Sequence, residues 1–139
     1  MCRSFLLHCE LCYSAGQLFP FPLMTMFVKL LARVGGIALL VLGIVGFAMS
    51  SFAGLSFDTT QNILHIVLGV LLFAAAGTYG RARMLLILTG ILFAVAAVAA
   101  LVMNGNVFGF FAVNTTEIGL YVGIAFLCLI VGFGSKSKV

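Results

Sequence analysis

Apolar residues along this chain fall into four long runs separated by short polar breaks. The runs lie at about residues 28–49, 60–78, 84–103 and 116–134. A helix needs about 20 apolar residues to cross a hydrocarbon core about 30 Å thick, and each run is close to that length. The third run, from Met84 to Met103, contains no charge. Short connections make sequential helices antiparallel neighbours. The pattern predicts an all-α fold, an integral membrane four-helix bundle in up-down-up-down order.

Composition strengthens this reading. Apolar residues make up 64% of the chain and charged residues 7%, whereas soluble domains average about 25% charged. So few charges cannot cover a soluble surface, and the apolar excess must face lipid. The net charge of +4 does not point to nucleic acid, because the basic residues cluster at run ends. Lys29 and Arg33 open the first run, Arg81 and Arg83 separate the second from the third, and Lys136 and Lys138 follow the fourth. The connections near 50–59 and 104–115 contain no Lys or Arg. Basic residues stay cytoplasmic, which predicts both termini inside (N-in, C-in). The short basic stretch before the first apolar run resembles how many bacterial membrane proteins begin, so the expected place is a bacterial inner membrane. The lipid bilayer is then its first partner, and the six basic residues would meet headgroups. Arg33 would snorkel to the interface. A cleaved signal peptide ending at Ser51-Phe52-Ala53 is the rival reading of the first run. The length of that run and the three runs after it favour a span.

Residues 1–26 read as a leader, 27–135 as the transmembrane domain and 136–139 as a basic tail. Met24 or Met26 is a candidate start, and Phe19-Pro20-Phe21-Pro22 reads as loop. The leader carries Cys2, His8, Cys9 and Cys12, but His8 and Cys9 are adjacent and only Cys9-x-x-Cys12 has a usual zinc spacing. Cys128 lies in an apolar run, as a small apolar side chain does. No metal site or cofactor is predicted.

A weak internal duplication is also legible. Asp58-Thr59-Thr60-Gln61 before run two matches Asn114-Thr115-Thr116-Glu117 before run four, 56 residues later. At the same offset Leu64 matches Leu120, His65 matches Tyr121, Leu71 matches Leu127 and Phe52 matches Phe108. This predicts two helix pairs in the same orientation, a parallel repeat about the membrane normal. Asp58 and Asn114 suit N-caps, and Gln61 and Glu117 sit where a capping-box partner reaches back.

His65 is the polar residue of most interest, with Asn62 and Gly69 on the same helical face. Ionisable groups inside a membrane are functional candidates by default. Asn62, His65 and Asp58 therefore form the candidate polar site near the outer end of helix two. The structural alternative is a histidine hydrogen-bonded to a neighbouring helix, with Gly69 allowing close approach. A haem held by two histidines is disfavoured, because the runs contain His65 alone. Small residues four apart, Ala32-x-x-x-Gly36, Ala96-x-x-x-Ala100 and Gly119-x-x-x-Gly123, are expected mostly to pack within the bundle, with a homodimer face as the lesser reading.

The stretch Asn62-Ile63-Leu64-His65-Ile66-Val67-Leu68-Gly69 resembles the Asn-x-x-His-x-x-x-Gly signature of a bacterial membrane family, domain of unknown function 4383. Val113-Asn114-Thr115 resembles its second motif. The resemblance covers about residues 27–134 and implies a four-helix membrane fold without assigning an activity. Ile118 and Tyr121 stand where the family's second half often has Asn and His. The DoxX-like four-helix membrane proteins are a second resemblance.

The chain has no P-loop, Gly-x-Ser-x-Gly, His-Glu-x-x-His or intramembrane acid pair. The expectation is a non-enzymatic membrane protein with a structural, stress-related or partner-binding role, alone, as a homo-oligomer or with a membrane-protein partner. Two alternatives are an oligomeric transporter or channel subunit using His65 and Asn62, and a redox or quinone-linked component.

Overall fold

The computed structural model describes residues 21–49, 51–52 and 55–135. They form four helices: α1 Phe21–Ala48, α2 Thr59–Ala75, α3 Tyr79–Val102 and α4 Thr115–Gly134. Two small antiparallel ribbons join the helices of each pair. β1 Ser51–Phe52 pairs with β2 Leu55–Ser56 between α1 and α2, and β3 Asn106–Val107 pairs with β4 Phe111–Ala112 between α3 and α4. The closest packing is α1 on α2 and α3 on α4. α1, α3 and α4 are long and apolar enough to cross a membrane, whereas α2 is a shorter apolar helix of 17 residues.

Three boundaries differ from the hydropathy reading. α1 begins at Phe21, so Phe21-Pro22 is the first helical turn rather than loop, and Met24 and Met26 lie within the helix. Proline is tolerated there because the first N–H groups have no intrahelical partner. α2 ends at Ala75, and only Ala76-Gly77-Thr78 separates it from α3. Arg81 and Arg83 are therefore in the first turns of α3, not in a connection. Hydropathy missed this because a short interfacial turn can be helical while being charged. Cys2, His8, Cys9, Cys12, Lys136 and Lys138 lie outside the described residues.

The duplication is better defined in three dimensions than in sequence. Thr59 and Thr115 begin the second helix of each pair, 56 residues apart. Ala48 and Val102 end the first helix of each pair, 54 residues apart. The difference is a connection two residues longer in the second pair, 103–114 against 49–58. With the 54-residue offset, the buried positions Val28, Ala32, Gly36, Leu39, Gly43 and Gly46 map onto Ala82, Leu86, Gly90, Phe93, Ala97 and Ala100, which are all buried. Lys29 maps onto Arg83. On the second helices, the 56-residue offset maps buried Gln61, His65, Gly69 and Leu72 onto buried Glu117, Tyr121, Ala125 and Cys128. The ribbons correct one match: Phe52 pairs with Leu55 and Val107 with Phe111, so Phe52 corresponds to Val107 rather than Phe108.

Glycines set the spacing within each pair. A Cβ on Gly36 would lie 2.8 Å from the backbone N of Phe73, and one on Gly69 would lie 2.8 Å from the carbonyl O of Gly36. Here backbone meets backbone, as small residues permit in membrane helix pairs. In the second pair a Cβ on Gly90 would meet the side chain of Leu129 at 2.8 Å. The outermost glycines behave differently. Gly119 and Gly123 face outward with nothing within 4 Å, so that motif does not pack within the bundle as expected. Spacing alone cannot tell an inward stripe from an outward one.

Candidate functional site

The polar residues gather where the two pairs meet, at the ribbon end of the bundle. Glu117 is the centre of this cluster and only 1% exposed. It sits in the first turn of α4, where a carboxylate suits the helix dipole. The Asn114 side chain accepts from the Glu117 N–H at 3.0 Å, and Glu117 Oε2 accepts from the Asn114 N–H at 2.8 Å. These two bonds make the reciprocal capping box. The same carboxylate reaches the other repeat. Ser56 Oγ donates to Oε2 at 3.1 Å, and Gln61 Nε2 donates to Oε1 over a long 3.5 Å.

Gln61 therefore does not cap α2 as expected. Asp58 alone does so, its side chain accepting from the Thr60 N–H at 2.9 Å. Gln61 is buried and turned towards Glu117, its own counterpart in the second repeat. Buried polar groups seek partners more strongly than exposed ones, which decides between the cap and the bundle centre. The repeat-related pair thus meets across the local axis.

One turn further in lies a ring cluster. His65 stacks on Phe93 of α3 at 6.0 Å between centroids and 15° between planes. Tyr121 of α4 meets His65 edge-on at 6.4 Å and Phe93 at 5.0 Å. His65 and Tyr121 are again repeat equivalents. His65 Nδ1 is buried without a hydrogen-bond partner.

Asn62 belongs to a different contact. A Cβ on Gly46 would overlap the Asn62 amide, so Asn62 fills the slot that this glycine leaves on α1. Its Oδ1 is buried and unpartnered. Asp58 is exposed at the α2 entrance. The structure therefore does not bring Asp58, Asn62 and His65 into one site. A three-residue step turns a helix by about 300°, enough to send the two side chains to different neighbours. Sequence reasoning missed Ser56, Phe93 and the role of Tyr121. The 54-residue offset that pairs Phe93 with Leu39 was hidden by the unequal connections. Among the described residues, no three His, Cys, Asp or Glu side chains come together as a metal site.

At the other end, Arg83 Nε donates to the carbonyl O of Gly132 at 2.9 Å. This places a cation on the C-terminal turn of α4, where the helix dipole favours it. Ser135 Oγ donates to the same oxygen at 3.1 Å. Arg81 Nε donates to Thr78 Oγ1 at 2.6 Å. Lys29 is half-buried and Arg33 exposed on α1.

The chain matches a family model, Domain of unknown function (DUF4383), over residues 29–134. The chain belongs to this family. In this chain the Asn62-to-Gly69 motif places Asn62 against Gly46, His65 against the rings and Gly69 against Gly36. No curated protein and no solved structure matches the chain.

Proposed function

We propose that this DUF4383 member is a non-enzymatic protein of the bacterial inner membrane with a structural or partner-binding role. It crosses the membrane four times with both termini on the cytoplasmic side. Arg81 and Arg83 lie in the first turns of α3, at the end opposite the ribbons, and Lys29 and Arg33 lie in the half of α1 away from its ribbon, in accord with the positive-inside rule. α2 has 17 residues, about 25 Å at 1.5 Å each, the lower limit for a crossing.

The observation that carries the non-enzymatic reading is the use made of the buried polar groups. Glu117 caps a helix and ties the two repeats, Asn62 fills the slot beside Gly46, and His65 is packed among rings. The test is the His65→Ala variant, inserted at normal levels. The expected result is a modest loss of stability with no separate phenotype. A pH-dependent or solute-transport defect in that inserted variant would overturn the reading.

Gly119 and Gly123 favour a homo-oligomer as the first partner to look for, because both face outward with nothing packed on them. Disulfide trapping of Gly119→Cys in membranes should give a dimer band if α4 pairs with α4, and only monomer if it does not.

A further inference from the structure

A pocket of about 230 Å³ lies between α2 and α3 beneath the β3–β4 ribbon. Rings form much of its wall: His65 from α2, Phe93 from α3, Tyr121 from α4, and Phe108, Phe110 and Phe111 from the second ribbon. Its mouth is on the lipid side, for the rim residues Leu64, Leu92 and Val95 are each about half exposed.

We propose that this pocket binds a flat, unsaturated ring carried by a membrane-soluble molecule, entering sideways from the bilayer between α2 and α3. Three observations carry this beyond the general reading of an apolar surface. First, the size fits: a dry apolar cavity of about 150 Å³ holds benzene, so this one has room for two fused rings. Second, the wall offers both faces and edges of aromatic rings, which attract another ring by stacking and edge-on contact. Third, the pocket has a ring set that the first repeat does not match. Leu39 stands where the second repeat has Phe93, Leu55 stands for Phe111, and the first connection is two residues shorter. The longer ribbon also holds Phe108 at φ +52°, a left-handed conformation that side chains rarely adopt. Such strain persists where surrounding structure imposes it, often beside a ligand.

Gln61 Oε1 and His65 Nδ1, on two of the lining residues, are buried without a hydrogen-bond partner within the protein, so the ring preference rests on the apolar wall around them.

The test uses the full chain in detergent micelles with 13C-labelled leucine methyls. Naphthalene is the probe, and decalin, its saturated ten-carbon counterpart, is the control. Leu68 is a half-buried pocket residue, and Leu127 faces outward. The expected result is saturable transfer from naphthalene to the Leu68 methyls, exceeding that to Leu127. Affinity for naphthalene should be about tenfold above that for decalin, the upper end of ring–ring preference. Ala96→Phe should abolish the Leu68 signal and leave the Leu127 signal. Val95→Phe, a change at the exposed rim, gives the same reading if Ala96→Phe does not fold. Equal effects of naphthalene and decalin would overturn the ring preference. A Leu68 signal no stronger than that of Leu127, or one that survives in the folded variants, would overturn the site.

Discussion

The two helix pairs share a plan and differ in how tightly they close. In the first pair, glycines let α1 and α2 touch backbone to backbone at Gly36 and Gly69. In the second, Gly90 and Gly132 receive the side chains of Leu129 and Ile87 instead. The first pair also has the shorter ribbon, with Ser56 turned to the neighbouring repeat. The second has the longer ribbon, three phenylalanines near its tip and the only acid in the bundle centre among the described residues. The first pair is thus closed by direct backbone contact and the second by side chains, and the pocket lies between the two, with α2 as one wall. Polar residues hold the halves together where repeat equivalents meet, Gln61 with Glu117 and His65 with Tyr121.

Glycine substitutions should separate the halves most clearly. Gly36→Ala drives a methyl against the Phe73 backbone, which cannot move without shifting α2. A destabilisation near 3 kcal/mol, about the upper end for overpacking, is expected. Gly90→Ala meets the Leu129 side chain and, at 3.1 Å, the Cβ of Cys128, with no backbone atom among its nearest contacts, and should cost less, about 2 kcal/mol. Reversible unfolding in mixed micelles measures both. Equal costs would mean that the two pairs are packed alike.

The joint between the halves gives the next effect. Glu117→Ala removes half of a capping box and leaves the half-buried Ser56 hydroxyl without its acceptor. A loss of about 2 kcal/mol is expected, from the cap and the stranded donor. Asp58→Ala breaks one exposed cap and should cost about 1 kcal/mol. If the order reverses, Glu117 is not the joint described.

Much of this plan was legible in the chain. The four runs, the caps at Asp58 and Asn114, and the 56-residue echo all appear there, because hydropathy and cap chemistry are local. The packing roles were not. Gln61 has the right spacing for a capping box, yet it turns to Glu117, since burial outweighs a local bond. Asn62 and His65 share a helix face on paper, but one meets Gly46 and the other Phe93. The 54-residue register of the first helices was masked by two extra residues in the second connection. Which glycines point inward depends on the neighbouring helix and cannot be read from spacing.

A smaller contrast lies within the glycines themselves. Gly119→Ala adds a methyl where nothing lies within 4 Å. Monomer stability should change by no more than about 0.5 kcal/mol, while any α4–α4 association should weaken. Thermal unfolding at two protein concentrations separates these effects. A large loss independent of concentration would show that Gly119 packs inside the bundle after all.

Parallel helix pairs require both ribbons to lie on one face of the membrane. Exposed positions allow this to be measured: Ser51 and Asn106 in the two ribbons, and Thr78 in the connection opposite. Each is changed to cysteine in a chain whose native cysteines are replaced by serine, and intact cells are treated with a membrane-impermeant maleimide. Labelling of both Ser51→Cys and Asn106→Cys from outside, with Thr78→Cys labelled only after permeabilisation, is the predicted result. Labelling of the two ribbons from opposite sides would contradict it.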